Sequence, residues 1–214
     1  KNLSFELVSY ASKVAEMMKV SAIAVSIGNV ETDELSKLAA YGASKIVSIE
    51  NSAFNTLDDQ VYTRLIADVA QKYEASVIVL SNNNTGKAIA PRLSVRLKAG
   101  IASGVSKLPL SVNPFVVYKK VFSGKAFAHV EIKTASKILT LAQNSFEVLE
   151  LPKPVDIEKS DIQPDTSLFK TTVNEVQKQT GKILLTDADI VVSGGRGMRS
   201  ADNWAPLLEM AELL

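Results

Sequence analysis

Leu3, Leu7, Tyr10, Val14 and Met17 or Met18 recur at helical spacing, which predicts an amphipathic helix at the start of the chain. The pattern then becomes that of a buried strand over Ala22-Ile23-Ala24-Val25-Ser26-Ile27, a β-branched run ended by Gly28. Thr32 is placed to cap a helix carrying Leu35, Leu38 and Ala39. Gly42 stands just past its end, where a residue without Cβ readily takes the left-handed conformation that closes a helix. Lys45 to Glu50 is the next strand and Thr56 the next cap. Val61, Leu65 and Val69 then form the spine of a helix, beside Tyr62, Ile66, Ala70 and Tyr73. Ser76 to Ser81 is a third apolar run, and Ala88 to Lys98 a further helix. Strands alternating with helices of this length predict an α/β fold, an open and mostly parallel sheet flanked by helices with right-handed crossovers.

The rhythm changes after that helix. Val112 to Tyr118, Val121 to Ile132 around the turn Ser123-Gly124, and Ile138 to Leu141 followed by Phe146 to Leu151 are strands without helices between them, as in added β-hairpins. From Leu151 to Asp165 prolines and charges dominate, which predicts a surface connection, and Lys170 to Gln177 is compatible with an edge strand. A domain boundary is expected between Lys182 and Ala188, dividing the chain into an α/β domain, 1–182, and a second unit, 183–214. In the second unit Ile190 to Ser193 reads as a buried strand. Asp202 or Asn203 is placed to cap a helix bearing Trp204, Leu207, Leu208, Ala211 and Leu214 on one face, with Pro206 in its first turn. A single βα unit ending at Leu214 cannot cover both faces of a parallel sheet. The pattern therefore predicts a truncated domain, just as the opening helix predicts a missing lead-in strand.

Charge and composition exclude several classes of function. The 24 basic and 23 acidic residues give a net charge of +1, without the broad positive field of a nucleic-acid or anionic-membrane binder. The absence of cysteine removes thiolate nucleophiles, disulfides and cysteine metal sites, and the single His129, in an alternating strand pattern, supports neither a histidine triad nor a His-based metal cluster. No apolar run approaches the roughly 20 residues that span a bilayer.

Two segments have the composition of ligand sites. Ser193-Gly194-Gly195-Arg196-Gly197 lies between the last predicted strand and helix. Gly195 and Gly197 permit close backbone approach, and Arg196 offers a fork of donors shaped for phosphate. A strand-to-helix turn with a solvated arginine fits the same residues. Asn82-Asn83-Asn84-Thr85-Gly86-Lys87 lies at the carboxyl end of a parallel strand, where open α/β sheets bind ligands, and is equally suited to helix capping. It is not a P-loop, since the upstream glycine is absent and Ala88 stands where the magnesium-binding hydroxyl belongs. Arg92 and Arg96, one helical turn apart, form either a basic ridge or a solvated face.

Taken together, Tyr41-Gly42-Ala43-Ser44-Lys45-Ile46, Thr85 through Leu97, Gly124-Lys125-Ala126 and Val191 through Gly197 resemble the electron transfer flavoprotein α-subunit family in order and spacing from near Leu3 to Leu214. The resemblance implies an adenine nucleotide alpha hydrolase-like N-terminal domain followed by a doubly wound FAD domain, with the family's first strand preceding Lys1. It implies FAD as the cofactor, with Arg196 on its pyrophosphate and Gly195 and Gly197 permitting the turn. It also implies an electron carrier rather than an enzyme, with the β subunit, flavoprotein dehydrogenases and a quinone reductase or other acceptor as partners. Nucleic acid and direct membrane insertion are not implied. The location implied is the bacterial cytoplasm, or the mitochondrial matrix if a targeting peptide was removed. Within the family's N-terminal α domain the Asn82–Lys87 loop is expected to be a packing turn. Gly104 departs from the family's usual acidic residue, and Lys119, Lys120 and Ala142 replace positions often held by arginine or proline. An adenine-nucleotide-binding sensor or hydrolase, using the Asn82–Lys87 loop, is the alternative function, and a purely structural interaction module a further one.

Overall fold

A computed structural model describes residues 2–162, 169, 171–175, 185, 188 and 190–214. It divides into two compact units, Lys1–Thr172 and Val173–Leu214. The first contains α1 (Asn2–Met18), β1 (Ile23–Ile27), α2 (Thr32–Ser36), β2 (Lys45–Ile49), α3 (Asp59–Lys72), β3 (Val77–Ser81), α4 (Asn84–Leu97), β4 (Gly100–Val105), β5 (Ser111–Val112), β6 (Phe115–Val121), β7 (Ala126–Glu131), β8 (Lys137–Leu141) and β9 (Asp156–Lys159). The second contains α5 (Ala205–Leu213).

The α/β class and the parallel character hold, with the strands arranged in two sheets. One has the order β1-β2-β9, all parallel. The other runs β3-β8-β4-β6-β5, parallel from β3 to β4 and antiparallel beyond, with β7 on the free side of β6. Helices α1 and α3 each pack on both sheets. From α1, Tyr10 and Val14 join Ala102, Val117 and Leu139, while Val8 packs on Ile46 and Leu35. From α3, Val61, Leu65 and Val69 meet Val47 and Ile49, while Ala67 meets Ile138 and Leu93. The helical spines expected at Tyr10–Val14 and Val61–Leu65–Val69 are thus the residues that bury apolar area, the main favourable contribution to this fold.

Several expectations are corrected by long-range partners. Ile138 to Leu141 is not a hairpin strand: β8 inserts parallel between β3 and β4, with Ile138, Leu139, Thr140 and Leu141 all buried. Phe146 to Leu151 forms no strand, because its backbone groups are taken from elsewhere. The buried carboxylate of Glu6 accepts from the N–H groups of Asn144, Ser145 and Phe146, and the Ser9 hydroxyl bonds both Leu149 N and Leu149 O. The strand Gly100–Val105 escapes the sequence pattern since Gly-Ile-Ala-Ser-Gly-Val neither alternates nor forms an apolar run. Strand Asp156–Lys159 lies inside the supposed surface connection; its charges pair with Lys45, Lys72 and Glu50 while Asp156 and Lys159 stay exposed. Residues 171–175 form no regular structure, and the rest of the predicted Lys170–Gln177 strand lies outside the described residues. The caps also shift. Asp58, not Thr56, caps α3 by accepting from Gln60 N and Val61 N, and α2 begins after Glu31 with no side-chain cap from Thr32. Gly42 closes its helix as expected, at φ 99°.

Because β8 is buried on both faces, Leu139→Ala should lower unfolding free energy by about 2–5 kcal/mol, with little change in the dependence on denaturant. Equilibrium urea denaturation followed by circular dichroism checks this.

Candidate functional site

In the second unit, Gly195, at φ −116°, precedes a 3-10 turn over Arg196–Met198, with Met198 N bonded to Gly195 O. A further 3-10 turn, Ala201–Trp204, leads into α5 with Pro206 in its opening turn, as the prolyl ring requires. The cap falls at Trp204 instead of Asp202 or Asn203. The Asn203 side-chain amide turns back to donate to Met198 O at 2.8 Å, closing the glycine turn on the helix. The predicted strand Ile190–Ser193 does not form: residues 191–195 are irregular, and Ile190 and Val191 are more than half exposed, because no ladder partner accompanies them among the described residues. The expected boundary, Lys182 to Ala188, lies outside the described residues except for Leu185 and Ala188.

The glycines of this turn divide by role. A Cβ on Gly194 would stand 2.5 Å from Leu207 Cδ1, so a side chain there would displace the Leu207 side chain of α5 from the turn. A Cβ on Gly195 or Gly197 would meet nothing within 4 Å. Their smallness is not required by the chain's own packing, and the backbone between them is open to a ligand. Arg196 is exposed, and none of the described ion pairs uses it. Open glycine backbone around a cation free for pairing suits an anionic oxygen cluster such as a pyrophosphate.

The expected Asn82–Lys87 loop lacks that openness: α4 begins at Asn84 and not at Ala88, because Asn83 caps it, so most of the segment is the helix's first turn. Asn83 Oδ1 caps α4 through Gly86 N at 2.8 Å, and Lys87 N bonds Asn83 O. Asn82 N bonds Leu141 O, and Asn82 Oδ1 accepts from the Thr140 hydroxyl at 2.9 Å. A Cβ on Gly86 would fall 1.7 Å from Ser81 O, so the backbone here is already packed against itself. Donors committed to capping cannot cradle a phosphate, and the structure favours the packing-turn reading of this loop. Arg92 and Arg96 both stay exposed, Arg92 bonding Ala88 O on its own helix and lying 3.7 Å from Asp59. His129 lies on exposed β7 against Tyr118.

A charged cluster at the start of the β2-β9 pair was not foreseen from sequence. Lys45 Nζ lies 2.8 Å from Glu158 and 3.1 Å from Asp156, and Lys72 Nζ lies 2.9 Å from Glu158. Both ammonium groups stand over the Tyr73 ring. Lys45 above all holds the Glu158 carboxyl down at about 2, and the same contacts raise the lysine. Lys45 and Asp156 are more than a hundred positions apart in the chain, so only the parallel register brings them together. The cluster fastens β9 to its sheet.

Fold and turn therefore describe a mostly parallel α/β unit followed by a second unit with an open glycine-rich turn around Arg196. The sequence model of the electron transfer flavoprotein domain matches residues 1–165, and the chain belongs to that family. It is similar to the electron transfer flavoprotein subunit alpha of Bacillus subtilis, at 26% identity over the whole chain and 66% of that protein. It is also similar to subunit LctC of the NAD(+)- and ferredoxin-linked lactate dehydrogenase of Acetobacterium woodii, at 24% identity over 98% of the chain and 51% of that protein. The electron transfer flavoprotein subunit alpha of Pseudomonas aeruginosa is 27% identical over 81% of the chain and 54% of its own length. The chain thus spans about two thirds, or less, of the length of these relatives. Their names describe carriers in some cases and a subunit of an enzyme complex in another. Among the described residues no helix is long and apolar enough to cross a membrane.

Two outcomes follow from the geometry. Since Glu158 is held at about 2, below its ordinary 4.5, its ion pairs stabilise the fold fully above pH 4.5, and that contribution is lost as pH falls towards 2. Glu158→Gln should flatten this acid limb of the stability profile, read as thermal midpoint against pH. Gly86→Ala, with its Cβ driven into a backbone carbonyl, should cost about 3 kcal/mol of stability in urea denaturation.

Proposed function

We propose that this chain is the N-terminal α/β domain, with the opening segment of the FAD domain, of an electron transfer flavoprotein α subunit. As part of that protein it serves as an electron carrier between flavoprotein dehydrogenases and a quinone reductase or other acceptor, and it is not itself an enzyme. The observation that supports this most is the continuity of the family likeness from the α/β domain through the Gly195-Arg196-Gly197 turn, whose open backbone and exposed cation suit a dinucleotide pyrophosphate. FAD supplies the redox chemistry when bound, and this chain's residues supply position and charge. Arg196 donates to the pyrophosphate oxygens, Gly195 and Gly197 let the backbone come close, and Asn203 holds the turn against α5. The β subunit is the partner of the complex, and the bacterial cytoplasm its location.

Arg196→Ala in the α subunit should weaken FAD retention by about one to two decades, the equivalent of roughly 1.5–3 kcal/mol for a charge-assisted hydrogen bond, while leaving the α/β domain folded. Fluorescence titration of the apoprotein with FAD measures this. Unchanged affinity assigns Arg196 to a solvated turn. The 214-residue chain alone should purify colourless, because one turn and one helix provide no walls to bury a flavin ring. Stoichiometric flavin absorbance in the purified chain would contradict this.

A further inference from the structure

In the second unit, glycine and arginine stand in the reverse of the places that backbone conformation would assign them. None of Gly194, Gly195 and Gly197 has a positive φ, whereas Arg199 takes φ 64° and ψ −58°. Ser200 N bonds Met198 O at 2.8 Å across it. Arg199 is therefore the centre of a γ-turn of the rarer, positive-φ form, which is strained for any residue that carries a Cβ. Glycine would adopt it freely. The turn uses glycine where the backbone borders open space and arginine where glycine would be the least strained choice.

Three hydrogen bonds hold the strained residue in place. Arg199 N donates to Arg196 O at 3.1 Å, which closes the 3-10 turn and sets the backbones of the two arginines one turn apart. Met198 O accepts both Ser200 N and the Asn203 side-chain amide, each at 2.8 Å. The amide ties the γ-turn to the lead-in of α5. The guanidinium of Arg199 takes part in none of these bonds. It is exposed, and no described ion pair uses it. The strain is kept for a side chain that does nothing to hold the turn together.

Charge indicates what the side chain is for. From Ile190 to Trp204 the charged residues are Arg196, Arg199 and Asp202. The Asp202 carboxylate accepts from the Ser200 hydroxyl at 3.3 Å, at the entrance to α5. With Arg196 alone this segment would carry no net charge and would attract an anion only weakly. Arg199 makes it positive, beside the open backbone of Gly195 and Gly197. A dinucleotide pyrophosphate has a negative charge on each of its two phosphates, and a single guanidinium pairs best with one of them. We propose that Arg199 is a second phosphate-binding residue of this turn, placed by the γ-turn so that its guanidinium and that of Arg196 share the two phosphates of a dinucleotide. This rests on the reading of the turn as a dinucleotide site and adds to it a residue outside the Gly195-Arg196-Gly197 motif. A backbone fixed before binding leaves less to be ordered when the ligand arrives, which is what the strain secures.

The test uses the full-length α subunit with its β subunit, stripped of flavin and titrated with FAD by fluorescence at two salt concentrations. Arg199→Asn removes the cation and eases the strain, because asparagine tolerates positive φ. It should weaken FAD binding at least about tenfold and lessen its salt dependence, while the thermal midpoint of the flavin-free protein is kept or raised. A residue that only shaped the turn would lower affinity and midpoint together and leave the salt dependence as it was. Arg199→Lys keeps the charge and should recover most of the lost affinity. Lys125→Asn, at an exposed lysine of the first unit, is the control and should bind FAD as wild type. Circular dichroism verifies folding, and Arg199→Gly, which takes the same conformation freely, decides the matter if Arg199→Asn does not fold. Unchanged affinity in Arg199→Asn beside a loss in Arg196→Ala overturns the second cation and leaves the dinucleotide site standing. Unchanged affinity in both overturns the site as well. Weakened binding with a lowered midpoint and an unaltered salt dependence assigns Arg199 to the fold of the turn and overturns the proposal.

Discussion

The parallel insertion of β8 between β3 and β4 is the constraint on which the first unit depends. Its five residues satisfy two neighbouring ladders and bury apolar side chains on both faces, so the chain leaving β4 must return to the middle of the sheet. Thr140 completes the join by donating to Asn82 Oδ1 and accepting from Gly104 N. The ladder shifts between Ser103 and Val105, and Gly104 takes φ 70° there. A side chain at that position would be strained, which gives a physical reason for the glycine.

The insertion also determines what is displayed. The chain between β4 and β8 can only run outward and back, and it does so as antiparallel strands whose inner face closes the core and whose outer face is left to solvent. After β8 the chain passes beneath α1, where Glu6 and Ser9 take the backbone groups that a further strand would have paired. A buried carboxylate ringed by amide donors thus does locally what a sheet ladder does elsewhere. The return to the sheet at β9 is held differently, by Lys45 and Lys72 on Glu158 and Asp156.

The two glycine-bearing loops show why similar composition does not mean similar chemistry. In Asn82–Lys87 the donors are spent on the cap and the glycine on avoiding Ser81 O. In Gly194–Gly197 only the first glycine is spent on packing, and the next two border open space around Arg196. That unspent backbone is what the turn offers an anionic ligand, and the proposed function rests on it.

The helices, strands β1 to β3, the hairpin turn at Ser123-Gly124 and the glycine turn around Arg196 were legible in the sequence, because each depends on periodicity or turn chemistry within a dozen residues. The family likeness was legible for a related reason, since short motifs preserve residue type and order without needing contacts. What the sequence did not disclose were β4, β9, the parallel placement of β8 and the cluster on Glu158. A strand of small residues and a strand of charged ones have no hydrophobic period of their own. Each becomes a strand only when a partner distant in the chain supplies the hydrogen bonds and counter-charges, and that partner exists only in the tertiary fold.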